Sequence, residues 1–136
     1  MSLASYIGCN VEVPLSNDEE NKNLIYIGDC FSNKYNKQDV QKYQFTTHFV
    51  YEVSSDWGIM ISEDMNQTIC AESKKKLIAL CEIMDIYLEK GDYFELYSCW
   101  VGEEKDKRVG EITLKIDKFN VDLIELPEKT LVQIER

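Results

Sequence analysis

Cys70 to Lys90 reads CAESKKKLIALCEIMDIYLEK and is followed by Gly91. On a wheel of 100° per residue, Leu77, Leu80, Cys81, Met84, Tyr87 and Leu88 form one apolar stripe. Ala79, Ile83 and Ile86 carry that stripe around the back, leaving a narrow polar strip of Lys74, Lys75, Glu82, Asp85 and Glu89 with Ile78 among them. The spacing predicts one long helix over about residues 68–90. Thr68 or Asn66 is its expected N-cap, and Gly91 suits the left-handed position at its end. A helix lying on one sheet needs an apolar arc of roughly 100° or a little more. This arc is wider, so more than one surface must cover it. Three covers are open: the Ser32–Lys42 segment, a curled sheet, or a partner such as a second copy seated on Ile83 and Ile86.

The charges on this helix oppose its dipole. Lys74, Lys75 and Lys76 lie in the N-terminal half, and Glu82, Asp85 and Glu89 in the C-terminal half. Each favourably placed charge stabilises a helix by roughly 0.3–1 kcal/mol, so this order is mildly costly. Packing outweighs that cost. The functional reading is that these charges face something outside the helix.

The segments on either side of the helix alternate as strands. Tyr6–Leu15 sets Ile7, Cys9, Val11 and Val13 against Tyr6, Gly8, Asn10 and Glu12. Leu24–Phe31 is a second short strand. Phe45–Val53 and Trp57–Glu63 read as a hairpin turned at Ser54-Ser55-Asp56. Beyond the helix, Tyr93–Val101 and Val109–Asp117 flank the charged tip Gly102–Lys107, and Thr130–Glu135 is the last strand. Ser16–Asn23 and Ser32–Lys42 are polar connections, the latter with a short helical turn near Gln38–Tyr43. Met1–Leu3 carry no weight in this reading.

The resulting order is β-β-β-β-α-β-β-β. It predicts an α+β fold, with a curved, mainly antiparallel sheet of six or seven strands and one long helix packed on it. Residues 1–136 form a single domain, and at this length the core needs no metal or disulfide.

Composition narrows the function. The net charge is -10, from 25 acidic and 15 basic residues, which repels nucleic acid and anionic lipid and favours a basic partner. The five cysteines form no CxxC pair, and four sit among apolar neighbours, as buried thiols do. Met1–Asn10 has neither a basic start nor a long apolar run, so no secretory leader is expected, and a reducing cytoplasm is the expected compartment. No stretch reaches the ~18–20 apolar residues of a membrane span.

Chemistry-bearing motifs are sparse. His48 is the single histidine, and no nucleophile signature accompanies it. Asp29-Cys30 offers a thiol the wrong electrostatics for reactivity. The carboxylates Asp18-Glu19-Glu20, Glu63-Asp64 and Glu103-Glu104 lack the order of a calcium loop, and no phosphate-binding glycine motif occurs. No metal or cofactor is expected. The aromatics Tyr93, Phe94, Tyr97 and Trp100 read as core and cross-strand packing.

The expected function is therefore a small acidic protein-binding module, of an inhibitor or immunity type, recognising a basic partner. Its expected surface combines Asp56 and Trp57 at one turn with Glu103, Glu104 and Asp106 at another, and Ile83 and Ile86 on the helix. Two other readings stand beside it. One is a small-ligand binder or enzyme with a pocket between helix and sheet, and the other is a homodimeric or larger structural protein.

Overall fold

Asn66 starts the long helix: its Oδ1 accepts the backbone N–H groups of Thr68 at 2.8 Å and Ile69 at 3.3 Å. In the computed structural model, which describes residues 3–16, 25–29, 33–53 and 57–136, this helix runs Gln67–Tyr87. It ends earlier than Gly91. Leu88 turns extended and is 3 % exposed, so the chain leaves the helix in order to bury that side chain. Gly91, with φ of 91°, serves the turn into the next strand, where its N–H donates to the Arg136 carbonyl.

The elements in chain order are β1 (Leu3–Cys9), β2 (Ile27–Gly28), α1 (Lys34–Tyr43), β3 (Phe49–Val53), α2 (Gln67–Tyr87), β4 (Tyr93–Trp100), β5 (Gly110–Lys115) and β6 (Thr130–Glu135). The six strands form one sheet in the order β2-β3-β1-β4-β6-β5. All pairs are antiparallel except β5 with β6. The α+β class and the mostly antiparallel sheet are as the sequence implies.

Both faces of this sheet are covered. On one face, Leu77, Leu80, Cys81, Met84 and Leu88 of the α2 region pack with Ile7, Val53, Phe94, Leu96, Val132 and Ile134. On the other, Val40 of α1 joins Tyr6, Phe45, Val50, Tyr97, Cys99 and Leu131. All seven residues of β1 are buried as a result. The Tyr6/Gly8 side of β1 reads as a solvent face in sequence but is interior. Leu3, set aside in sequence, is 2 % exposed.

Four expectations need correction. Ser32–Lys42 does not cover α2. Its described part belongs to α1, capped by Asn33 Oδ1 on the Tyr35 N–H at 2.7 Å, on the opposite face of the sheet. Val40 is the one buried residue of α1, so the apolar periodicity there is too thin to announce a full helix. Phe45–Val53 is a strand from Phe49 alone; Phe45 and Thr47 instead plug the α1 face beside Gly8.

Trp57–Glu63 is no sheet strand and makes no hairpin with β3. Gly58 donates to the Leu3 carbonyl at 3.0 Å, Ile59 to Ser5 Oγ at 2.7 Å, and Ile61 bridges Leu126. The turn Ser54–Asp56, and with it Asp56, lies outside the described residues. Finally, β4 and β5 are not hairpin partners. The Gly102–Lys107 segment folds inward to bury Glu104, and β6 takes the place beside β4, with β5 parallel on its far side.

The segment joining β5 to β6 covers part of the wide apolar arc of α2 and leaves Ile86 exposed. Ile116, Phe119, Val121 and Ile124 of that crossover pack on the α2-side core, as do the half-buried Ala79 and Ile83. Lys74 Nζ on α2 bonds Asp122 Oδ1 at 3.2 Å and pins the crossover to the helix. Lys76 Nζ donates to the Trp57 carbonyl at 2.8 Å. Two of the three lysines that oppose the helix dipole are thus tied within the chain.

Candidate functional site

Of the sequence-predicted turn residues, Trp57 lies beside the strand end that leads into the Gly102–Lys107 loop. Trp57 stacks edge-on against Trp100, ring centroids 5.5 Å apart, and Glu103 N–H donates to the Trp100 carbonyl at 2.9 Å. The carboxylates there face inward or are neutralised. Glu104 is 1 % exposed and accepts from Tyr6 Oη at 3.1 Å, Gly102 N–H at 2.8 Å and Cys99 Sγ at 3.5 Å. Its expected place on a recognition surface is corrected: it anchors the loop to the α1 face. Lys129 Nζ holds Glu103 at 3.6 Å and Asp106 at 3.1 Å.

A second buried carboxylate lies on that face. Glu95, 1 % exposed, uses one oxygen to accept from Thr46 N–H, Thr46 Oγ1 and Thr47 Oγ1 at 2.9–3.2 Å. His48 is exposed, and Gln41 Nε2 donates to its carbonyl at 2.9 Å. Among the described residues no cluster of His, Cys, Asp and Glu is suited to a metal ion. No described helix is long and apolar enough to cross a membrane.

A concave surface lies elsewhere among the described residues, along α2. A groove of about 620 Å³ runs between the helix and the crossover, lined by Ile78, Cys81, Glu82 and Asp85 on one side and by Asp117, Phe119, Asn120 and Val121 on the other. It continues into a second concavity of about 520 Å³ that shares Asp85, Ile116 and Asp117 and is bordered by Lys90, Lys118 and Arg136. Asp85 is bonded to Arg136 Nε at 2.8 Å. Among the described residues, neither Glu82 nor Asp117 has a cationic partner.

The groove thus sets apolar Ile78, Phe119 and Val121 beside the carboxylates Glu82, Asp85 and Asp117, and the adjoining concavity adds Lys90, Lys115, Lys118 and Arg136. Ile86, one turn beyond Glu82, is 75 % exposed, and Ile78 is 42 % exposed; Ile83 is half-buried against the core. Ile86 and Ile83, singled out on the wheel, are not among the residues lining the groove. Sequence reasoning missed Asp117, Phe119 and Val121, because a segment without regular structure has no period to betray which way it faces.

Cys81 sits at the base of this groove, and burial pushes its thiol up to about 12, with the charges of Asp85 and Glu82 adding. Burial raises Cys9 to about 11. Tyr97 and Cys99 rise for the same reason, Cys99 with a further push from Glu104. The folded chain therefore keeps protons that the unfolded chain releases above its ordinary thiol value of 9.0. The unfolding free energy is expected to be insensitive to these groups near neutrality. It should then fall as pH climbs from about 9 towards 11, by up to ~1.4 kcal/mol per pH unit for each thiol. Urea melts from neutral pH to about pH 10.5 test this, and Cys81→Ala should make the decline shallower.

No family model, curated protein or solved structure matches this chain.

Proposed function

We propose that this chain is a protein-binding module whose α2 groove holds a basic, amphipathic segment of another protein. The observation that carries this is the groove itself. Carboxylates at Glu82 and Asp117, without a cationic partner among the described residues, line the groove with apolar Phe119 and Val121, on a chain of net charge -10. Apolar contact gives such a site affinity, and its charge gives encounter rate and selectivity. The space between α2 and the sheet is filled by Leu77, Leu80 and Met84, each 0 % exposed, so on this helix a partner would meet the outer flank. The four described cysteines, Cys9, Cys70, Cys81 and Cys99, are free thiols, which supports a reducing, intracellular setting.

Amide shifts on titration with a lysine-and-leucine amphipathic peptide test the reading. An aspartate-and-leucine peptide of the same apolar pattern is the control. The basic peptide is expected to move Ile78, Glu82, Phe119 and Val121 together, to weaken as salt rises, and to lose about tenfold in affinity in Glu82→Lys/Asp117→Lys. Equal binding of both peptides, or shifts scattered over the surface, would remove the proposal.

A further inference from the structure

We propose that two copies of this chain pair through the free edge of β5, antiparallel, with Thr113 on the two-fold axis. β5 is the outer strand of the sheet, bonded along one side to β6 in a register unbroken from Gly110↔Thr130 to Lys115↔Glu135. Edge strands are ordinarily blunted by proline, a bulge or a covering segment. β5 contains no proline and no bulge, and the charges that guard it are Glu111 and Lys115.

Those two charges complement each other across a two-fold axis. In antiparallel pairing, directly opposite residues share a face. With Thr113 at the centre, Glu111 of each copy lies opposite Lys115 of the other, on the exposed face of the strand. The same register sets Ile112 opposite Leu114 on the core side, where both are half-buried against the α2-side cluster. Neighbouring registers lose this match. Centring on Leu114 places Glu111 opposite Asp117, and centring on Ile112 places Lys115 opposite Val109. Within the chain Glu111 bonds Arg108 and Lys115 bonds Glu135, yet the side chains of Glu111 and Lys115 remain 67 % and 59 % exposed and free to reach across.

The pairing is isologous and fuses two six-stranded sheets into one. One short strand pair buries less than the ~1,000 Å² of a durable interface, so the dimer forms as concentration rises. This inference is independent of the α2 groove, and Glu82→Lys/Asp117→Lys should not alter it.

Light scattering across a dilution series of the wild type, Glu111→Lys, Lys115→Glu and the double reversal tests the pairing. The wild type should dimerise with concentration, and each single reversal should weaken dimerisation about tenfold by setting like charges opposite one another. The double reversal should restore it. Hydrogen exchange of the wild type, which needs no variant to fold, should show the β5 amides gaining protection with concentration. A wild type that stays monomeric with unchanged β5 exchange overturns the proposal, as does a dimer indifferent to the single reversals or unrescued by the double.

Discussion

Gly8→Ala is expected to lower the unfolding free energy by about 3 kcal/mol, and Gly8→Val by more. A Cβ at this position would stand 2.3 Å from Thr47 Oγ1 and 2.8 Å from the Phe45 ring. Gly8 lies inside β1, which is hydrogen-bonded on both sides and cannot retreat. The neighbours cannot yield cheaply either. Thr47 Oγ1 donates to Glu95 at 2.9 Å, so moving it strips a bond from a carboxylate that is 1 % exposed. The clash and the damaged carboxylate site therefore add. Gly110→Ala is the control: its nearest contact would be Thr130 Oγ1 at 3.9 Å, an ordinary distance, and its cost should stay within about 0.5 kcal/mol. Denaturant melts followed by tryptophan emission compare the two, since both tryptophans sit in the Trp57–Trp100 contact.

Glu104→Ala should cost about 3 kcal/mol. The substitution removes the acceptor of the Tyr6 hydroxyl, the Gly102 N–H and the Cys99 thiol, and leaves a void under the loop. Glu104→Gln keeps the shape and one accepting oxygen, so its cost should be about 1 kcal/mol. The same pair of variants carries a chemical signature. Burial raises the Cys99 thiol first and the Glu104 carboxylate raises it further. Removing the charge in Glu104→Gln should bring that thiol down, and its alkylation at alkaline pH should quicken. An unchanged melt for Glu104→Ala would mean that the 101–109 loop does not depend on its buried anchor.

The parts of the fold that were legible in sequence are those with a strong period. α2 announced itself by its apolar arc, and β4 and β6 by short aromatic or aliphatic runs; the breadth of the arc called for a second cover, which Ala79 and Ile83 receive and Ile86 does not. What stayed hidden depended on distant partners. α1 was half legible: the helical turn expected near Gln38–Tyr43 is its second half, and a single buried valine sets no period to announce the rest. Glu104 reads as one charge among several in GEEKDK, and nothing local says that Tyr6, 98 positions away, will hold it inside. The parallel placement of β5 beside β6 was hidden too, because β6, which takes the place beside β4, comes from a distant part of the chain. The groove was half legible. Its helical wall could be read from the wheel, whereas the crossover wall becomes a wall only once β5 and β6 are neighbours.

The position of β6 between β4 and β5 also orders events on the ribosome. Strands β1, β3 and β4 can join as soon as Tyr93–Trp100 has emerged, because β1 pairs with both of the others, while the far side of β4 waits for β6. β5 emerges next and has no companion in the nascent sheet. Its unsatisfied backbone, and the crossover meant for α2, must wait for Thr130–Glu135 to be translated. A pause in elongation between these two strands would thus prolong the interval in which the growing chain is most open to capture by a chaperone or by another unfinished copy.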